Sequence, residues 1–478
     1  MTQRRESAFA RTAVLAVLLA VAAVVLGMRA SEADALRGIT LGFAEPRYGS
    51  VDAQEREFWF DKGEQSGGDW ARVGIGWRGI APNQPANPTN PASAGYFWGG
   101  PDAAVRSADE RGMPVLFTIG FAPDWAEGAN RPASATPGTW KPDPDKLADF
   151  ATALATRYSG TFPDPQNPGE TLPKVTRFEV WNESNLSAFL APQSEGGENF
   201  AVEHYRKMVN AFYTAAHAEQ PQAQVVAGSL SPIGSDGQGG AGERQGPRAF
   251  LQDFLCVKGK GKPKAFDCGE TVKFDVLSHH PINVDRPPLE KAKGDDMGIA
   301  ETGLLTDMLR ASEKAGVAAG ASKHPIWMTE FWWHSNPPKK GKKIPTLEEQ
   351  ADYIQEALYV LWKEKVELAM LYQVGDEKGS VFQTGILFEN GKPKPAQTAY
   401  RFPLVGDRKS KSKVLVWGRA PSSGKVKIQV KAKSGKKKTV TKKVKEDDVF
   451  QTTVKLKGKG KIKAKLGKDK SLTWDQSA

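Results

Sequence analysis

Between about residue 36 and residue 402 the chain alternates two hydrophobic rhythms. Short runs that are wholly apolar, or apolar at every second position, fall at 39–44, 70–75, 114–120, 175–181, 224–229, 274–279, 325–329 and 368–374, and read as strands. Between them apolar residues recur three and four positions apart, the helical spacing, most clearly over 101–111, 145–158, 198–218, 302–315 and 347–363. In the third of these segments the stripe is Ala201, Tyr205, Met208 and Phe212. In the last it is Ala351, Ile354, Leu358 and Leu361, opened by the capping box Thr346-Leu347-Glu348-Glu349. Strands that alternate with helices pair in parallel through right-handed crossovers, and eight such units close on themselves. The pattern predicts an α/β protein built on a (β/α)8 TIM barrel spanning 36–404.

That span exceeds a minimal barrel, and the surplus lies in Pro-, Gly-, Asn- and Ser-rich segments at 81–100, 126–141, 186–197, 231–246 and 335–344. Each follows a strand, so each belongs to the βα loops that carry the functional face of such barrels.

After Pro403 the rhythm changes to period two. Residues 426–431, 454–457 and 462–465 alternate apolar and mostly lysine positions, which describes strands with one buried and one lysine-covered face. A small antiparallel β-sandwich-like domain over 405–478 is predicted. It holds the excess charge: residues 406–478 carry 23 Lys and Arg against 6 Asp and Glu, a net +17, so with +11 for the whole chain the first 405 residues carry 11 − 17 = −6. Such a face is suited to an anionic cell-surface polymer such as uronic-acid polysaccharide, teichoic acid or an anionic lipid surface. Alternatively, its lysines deter pairing at sheet edges.

The N-terminus sets the compartment. Arg4, Arg5 and Arg11 precede an apolar run over 12–28, and Ala33-Asp34-Ala35 offers small residues for cleavage, so 1–35 reads as a secretory signal peptide, with an uncleaved anchor as the alternative. In an exported chain the two cysteines, Cys256 and Cys268, read as a disulfide closing one loop. His279-His280 is the one histidine cluster, and neither it nor the cysteines have metal-ligand spacing. No metal and no cofactor is expected. Nucleic acid is excluded as a partner by export and by the absence of basic residues interleaved with aromatics. A monomer is expected.

The chemistry-bearing residues stand at two predicted strand ends. Arg177-Phe178-Glu179-Val180-Trp181 runs out into Asn182-Glu183-Ser184-Asn185, and Pro325-Ile326-Trp327-Met328-Thr329 into Glu330-Phe331-Trp332-Trp333. Two carboxylates at strand ends, flanked by tryptophan, suit hydrolysis of a glycosidic bond, where one group donates a proton and the other attacks or activates water.

These segments, together with Asp69-Trp70-Ala71-Arg72-Val73-Gly74-Ile75-Gly76-Trp77, Ala148-Asp149-Phe150, Ala155-Thr156-Arg157-Tyr158 and His280-Pro281, resemble clan A of the retaining glycoside hydrolases. The similarity is to family 39 and to the cellulase-like family 5. It implies that Glu183, on the fourth strand, is the acid/base and Glu330, on the seventh, the nucleophile. It further implies that Arg72 keeps Glu330 ionised, that Asn182 binds the sugar 2-hydroxyl, and that His280 meets the nucleophile or the sugar. A core imidazole is the plainer reading of His280. Trp77, Trp125, Trp332 and Trp333 are candidate sugar platforms, each otherwise a core residue. The chain departs from the family pattern at Phe121, where many members have His at the end of the third strand, at Ile282 after His-Pro, and at the Tyr372-Gln373 end of the eighth strand. The substrate implied is a poly- or oligosaccharide. The rival from another class is a catalytically silent barrel that only grips sugar or cell wall, but such a protein has no need of both carboxylates. A metal-dependent barrel hydrolase is a third reading, and it lacks its ligand triad.

Overall fold

In the computed structural model, residues 36–234, 243–259, 261–335 and 344–477 are described. The segment read as a signal peptide lies outside them, as do parts of two βα loops.

Eight parallel strands form a closed barrel: β1 (Thr40–Ala44), β2 (Trp70–Gly76), β3 (Val115–Gly120), β4 (Arg177–Val180), β5 (Gln224–Leu230), β6 (Val276–His279), β7 (Ile326–Phe331) and β8 (Leu368–Tyr372). Each strand pairs with its neighbours in chain order, and β8 closes on β1 with Leu368 opposite Thr40. All eight are strands expected from the sequence. Around them lie α1 (Ala53–Gln65), α2 (Gly99–Asp109), α3 (Pro144–Arg157), α4 (Phe200–Glu219), α5 (Pro247–Phe254), α6 (Thr302–Lys314), α7 (Leu347–Lys363) and α8 (Pro395–Arg401). Of these, α1, α5 and α8 were not expected. In α1 only Trp59, Phe60 and Gly63 are buried, too few to repeat as a stripe, and the start is set by Asp52, whose side chain accepts from the Gln54 and Glu55 amides. The capping box of α7 forms as expected: Thr346 Oγ1 accepts from Glu349 N at 3.1 Å and Glu349 Oε2 from Thr346 N at 2.8 Å.

The outer core lies between strands and helices, as where Phe178 of β4 meets Phe212 of α4. A separate inner cluster of Leu116, Val226, Val276, Trp327, Leu368 and Met370, with Trp70 against it, plugs the lower part of the barrel. Cys256 and Cys268 form a disulfide after α5, with Cα atoms 5.9 Å apart.

Beyond α8 the chain builds two antiparallel sheets. One contains β9 (Leu404–Ser410), β10 (Lys413–Arg419) and, later in the chain, a strand at Val449–Lys455. The other is built on β11 (Gly424–Ala432) and β12 (Lys437–Val444). With Val449–Lys455 taken as β13, the second sheet is completed by β14 (Gly460–Leu466), β15 (Asp469–Lys470) and β16 (Trp474–Gln476), in the order β12-β11-β14-β15 with β16 also on β14. Val416 and Phe450 from the first sheet and Val426, Ile428, Ile462 and Leu466 from the second share one apolar core, the sandwich arrangement. This unit is seated on the barrel. Trp417 packs against Tyr359 and Trp362 of α7, and the buried Arg419 donates to Ile39 O at 3.2 Å and to Asp69 at 2.6 Å.

Candidate active site

Alternate residues of each barrel strand point into the lumen, so the interior is built in layers two residues apart. The floor contains Trp70 and Trp327, edge to face at 5.3 Å, with the Arg177 guanidinium 4.2 Å over Trp70. Two residues further along the same strands, and along β3, stand Arg72, Thr329, Glu179 and Thr118. Here the lumen turns polar. Glu179 is fully buried, and its Oε2 accepts from Arg72 Nε at 2.7 Å and from Thr118 Oγ1 at 2.7 Å. Burial pushes the Glu179 carboxyl upward in pKa, but Arg72 and then His280 outweigh it and hold the group at about 2, so it is ionised. Burial likewise acts to lower Arg72, and the paired charges of Glu179 and Glu330 raise it above its ordinary value.

The remaining Arg72 nitrogens reach upward to the strand ends. Nη1 donates to Glu330 Oε1 at 2.5 Å and Nη2 to Asn182 Oδ1 at 2.9 Å. One guanidinium thus joins β2, β4 and β7. The Asn182 Nδ2 makes no hydrogen bond among the described residues, and the residue lines a cleft of about 380 Å³ together with Arg72, Phe121, Phe189 and Tyr372. Tyr372 ends β8. Burial, then the charge of Glu330, hold its phenol well above the usual tyrosine range, so a neutral O–H donor stands close to that carboxylate.

The exit of β4 is strained. Trp181 and Glu183 have φ of 69° and 44°, the left-handed region that bulky side chains avoid, at a cost of about 1–3 kcal/mol each. Three contacts hold this turn: Tyr205 Oη donates to Val180 O at 2.9 Å, Trp181 Nε1 to Phe189 O at 2.7 Å, and Glu183 N to Ser229 O at 2.9 Å. The acceptor Ser229 follows Gly228, which has a φ of 111° and where a Cβ would fall 2.2 Å from Ser278 O, so that no side chain fits. The strain turns the Glu183 side chain toward β6, where Oε1 lies 3.2 Å from His280 Nδ1. Glu183 and Glu330 are 15% and 14% exposed, shielded enough for strong electrostatics yet reachable from solvent.

The residues singled out in the sequence divide into three groups. Arg72, Asn182 and Glu330 are hydrogen-bonded together, and Glu183 is paired with His280. The resemblance implied that His280 meets the nucleophile or the sugar; the side chain it contacts is that of Glu183, not the nucleophile candidate Glu330, and its ring is fully buried. Trp77 and Trp333 are corrected: both are fully buried core residues with no ring face for a sugar. Trp77 stacks on Phe150 at 5.2 Å, and Trp333 donates to Arg286 O at 2.8 Å. Trp125, whose Nε1 is bound to Ala81 O, is half-buried, and Trp332 is largely covered by His334 and Phe382.

Glu179, Thr118 and Phe189 were missed, and Tyr372 was noted only as a departure from the family pattern. Glu179 had a signal, since a carboxylate at an inward position of a buried strand demands a cation, and Arg72 is the inward residue two strands away. Among the described residues no group of three or more His, Cys, Asp or Glu stands where it would hold a metal ion.

No protein-family profile matches this sequence, and no curated protein does. Among solved structures the fold is similar to that of a family 39 glycoside hydrolase from Bacteroides cellulosilyticus, with a TM-score of 0.56 at 14% identity over 88% of this chain and 81% of that one. A monomeric β-xylosidase from Caulobacter crescentus aligns over 88% of this chain and 98% of its own at 15% identity, TM-score 0.49. A glucosidase from Croceicoccus marinus aligns over 88% and 96% at 14% identity, TM-score 0.47.

Proposed function

We propose that this chain is a retaining glycoside hydrolase, an exported monomer acting on a poly- or oligosaccharide, with 36–404 as its catalytic domain. The observation that carries the reading is the double engagement of Arg72, which ties Glu330 to Asn182 on a buried anionic base while Glu183 follows Asn182 at the end of β4. A retaining enzyme needs one carboxylate kept ionised and one able to exchange a proton. The barrel it shares with the Bacteroides cellulosilyticus family 39 enzyme supports the same reading.

In the first step Glu330 attacks the anomeric carbon, the bond to the leaving oxygen breaks, and Glu183 gives that oxygen its proton. Arg72 donates to the Glu330 carboxylate beforehand, and the Asn182 amide is free to donate to a hydroxyl on the adjacent ring carbon as positive charge develops. Once the ester has formed, the Glu330 charge is gone. In the second step Glu183 takes a proton from water, the water oxygen attacks the anomeric carbon, and Glu330 leaves as a carboxylate. His280 bears on Glu183 in both steps, as a hydrogen-bond partner that orients its carboxyl.

The test is hydrolysis of aryl glycosides and polysaccharides by wild type, Glu183→Ala and Glu330→Ala with added azide. Rescue of Glu183→Ala to a glycosyl azide of retained configuration, with none from Glu330→Ala, assigns both roles. If wild type cleaves nothing in the panel yet binds one polysaccharide, and both variants bind it equally, the chain is a silent sugar-binding barrel.

A further inference from the structure

The outward face of the second C-terminal sheet is almost purely cationic, and its strand register arranges the charges in rows. Directly opposed residues of antiparallel strands point to the same face. Lys437 of β12, Lys431 of β11 and Lys461 of β14 are therefore side by side in one row. Lys427 of β11, Lys465 of β14 and Lys470 of β15 form another. All six are exposed, while the alternate residues Val426, Ile428, Val430, Ile462, Ala464 and Leu466 point inward to the sandwich core. Neighbouring strands lie about 4.8 Å apart, and the rows are four residues apart along β11, about 13 Å. Among the described residues, the Asp475 carboxylate on Lys461, at 3.1 Å, is the one ion pair on these rows.

Like charges placed opposite one another destabilise a sheet. Deterring edge pairing does not account for Lys427, Lys431, Lys461 and Lys465, because β11 and β14 are interior strands with partners on both sides. The flank of the first row opens into a hollow of about 510 Å³ whose lining includes Lys431, Lys433, Lys459 and Lys461 and one carboxylate, Asp475. We propose that this lysine-ruled face binds a linear polysaccharide bearing regularly spaced carboxylates. One anionic group per sugar ring repeats at an interval comparable to the strand spacing, so a chain laid across the strands meets an ammonium group at each step. A membrane surface fits less well, since the outward positions are Lys, Thr and Gln with no aromatic or aliphatic side chain to insert. The proposal is independent of the chemistry assigned to the barrel.

The experiment is affinity electrophoresis of the full chain in gels containing polygalacturonate or neutral dextran, together with flotation on vesicles of phosphatidylglycerol and phosphatidylcholine. Wild type is expected to be retarded by polygalacturonate alone, with retardation that fades as salt is added. Replacing Lys427, Lys431, Lys461 and Lys465 by Gln should weaken binding roughly tenfold or more. Replacing Lys411, Lys413, Lys455 and Lys457, on and beside the other sheet, removes the same charge and should leave most of it. Equal loss in both variants would reduce the effect to net charge and overturn the proposal, as would absence of retardation or flotation on vesicles without retardation by the polysaccharide.

Discussion

Arg72 and Glu179 meet at 2.7 Å inside the barrel, where the carboxylate has no exposed surface, and this contact aims the other two Arg72 nitrogens at Glu330 and Asn182. A planar guanidinium serves three acceptors in different directions at once, which a single ammonium on a flexible stem cannot do.

Arg72→Lys should therefore lower kcat by roughly 100-fold or more, with a smaller effect on KM, because the loss falls on charge stabilisation at the reacting centre. Glu179→Ala should leave Arg72 unbalanced in the lumen and cost about 3–5 kcal/mol of stability. Initial-rate kinetics on an aryl glycoside and urea unfolding separate the two. An Arg72→Lys enzyme with wild-type kcat would remove the guanidinium from the mechanism.

Tyr372→Phe deletes a donor close to Glu330 without opening a cavity. It should fold normally and lose about 10- to 100-fold in kcat. Unchanged kinetics in a variant with wild-type melting would assign the phenol to cleft shape alone.

Stability should fall as the solution is acidified. His279 is fully buried, and burial depresses its pKa from 6.5 to about 4, while its Nε2 lies 3.0 Å from Met297 O. Between those pH values the unfolded chain binds a proton that the folded chain excludes, so stability is full above about 6.5 and declines by about 3 kcal/mol on the way to 4. Glu179, depressed from 4.5 to about 2, acts with the same sign at lower pH: its contribution is complete above the ordinary carboxylate range and is lost as pH falls toward 2. Denaturant midpoints measured across pH 4–7 should show the first decline, and His279→Asn should flatten it. A wild-type midpoint independent of pH in that range would contradict the burial argument.

Trp77→Ala should cost about 3–5 kcal/mol of stability, because it empties a site packed between Phe150 and Trp125. Below its melting temperature the variant should keep its KM for substrate. A raised KM at undiminished stability would restore Trp77 as a sugar platform.

The hydrophobic rhythm by itself determined the architecture. Period-two and continuous apolar runs alternating with helical stripes have one economical closure, and all eight strands and the order of the barrel follow from burying them. The same reading put Glu183 and Glu330 at strand ends on the loop face and the lysines on one side of the C-terminal sheet, because strand periodicity decides which residues share a face. What the local pattern did not carry is partnership across the barrel. Glu179 sits at an ordinary polar position of β4 in the sequence and becomes the anchor of the site only when closure brings β2 and β3 around it. Trp77 and Trp333 looked like platforms because they follow site strands, but whether a ring faces a cleft or a helix depends on the turn of the chain after the strand. His280 pairs with Glu183 rather than Glu330 because the left-handed turn at Trp181 and Glu183 swings that carboxylate toward β6. Such a conformation is imposed by contacts from α4, β5 and the following loop, residues far apart in the chain, and so only the tertiary structure decided it.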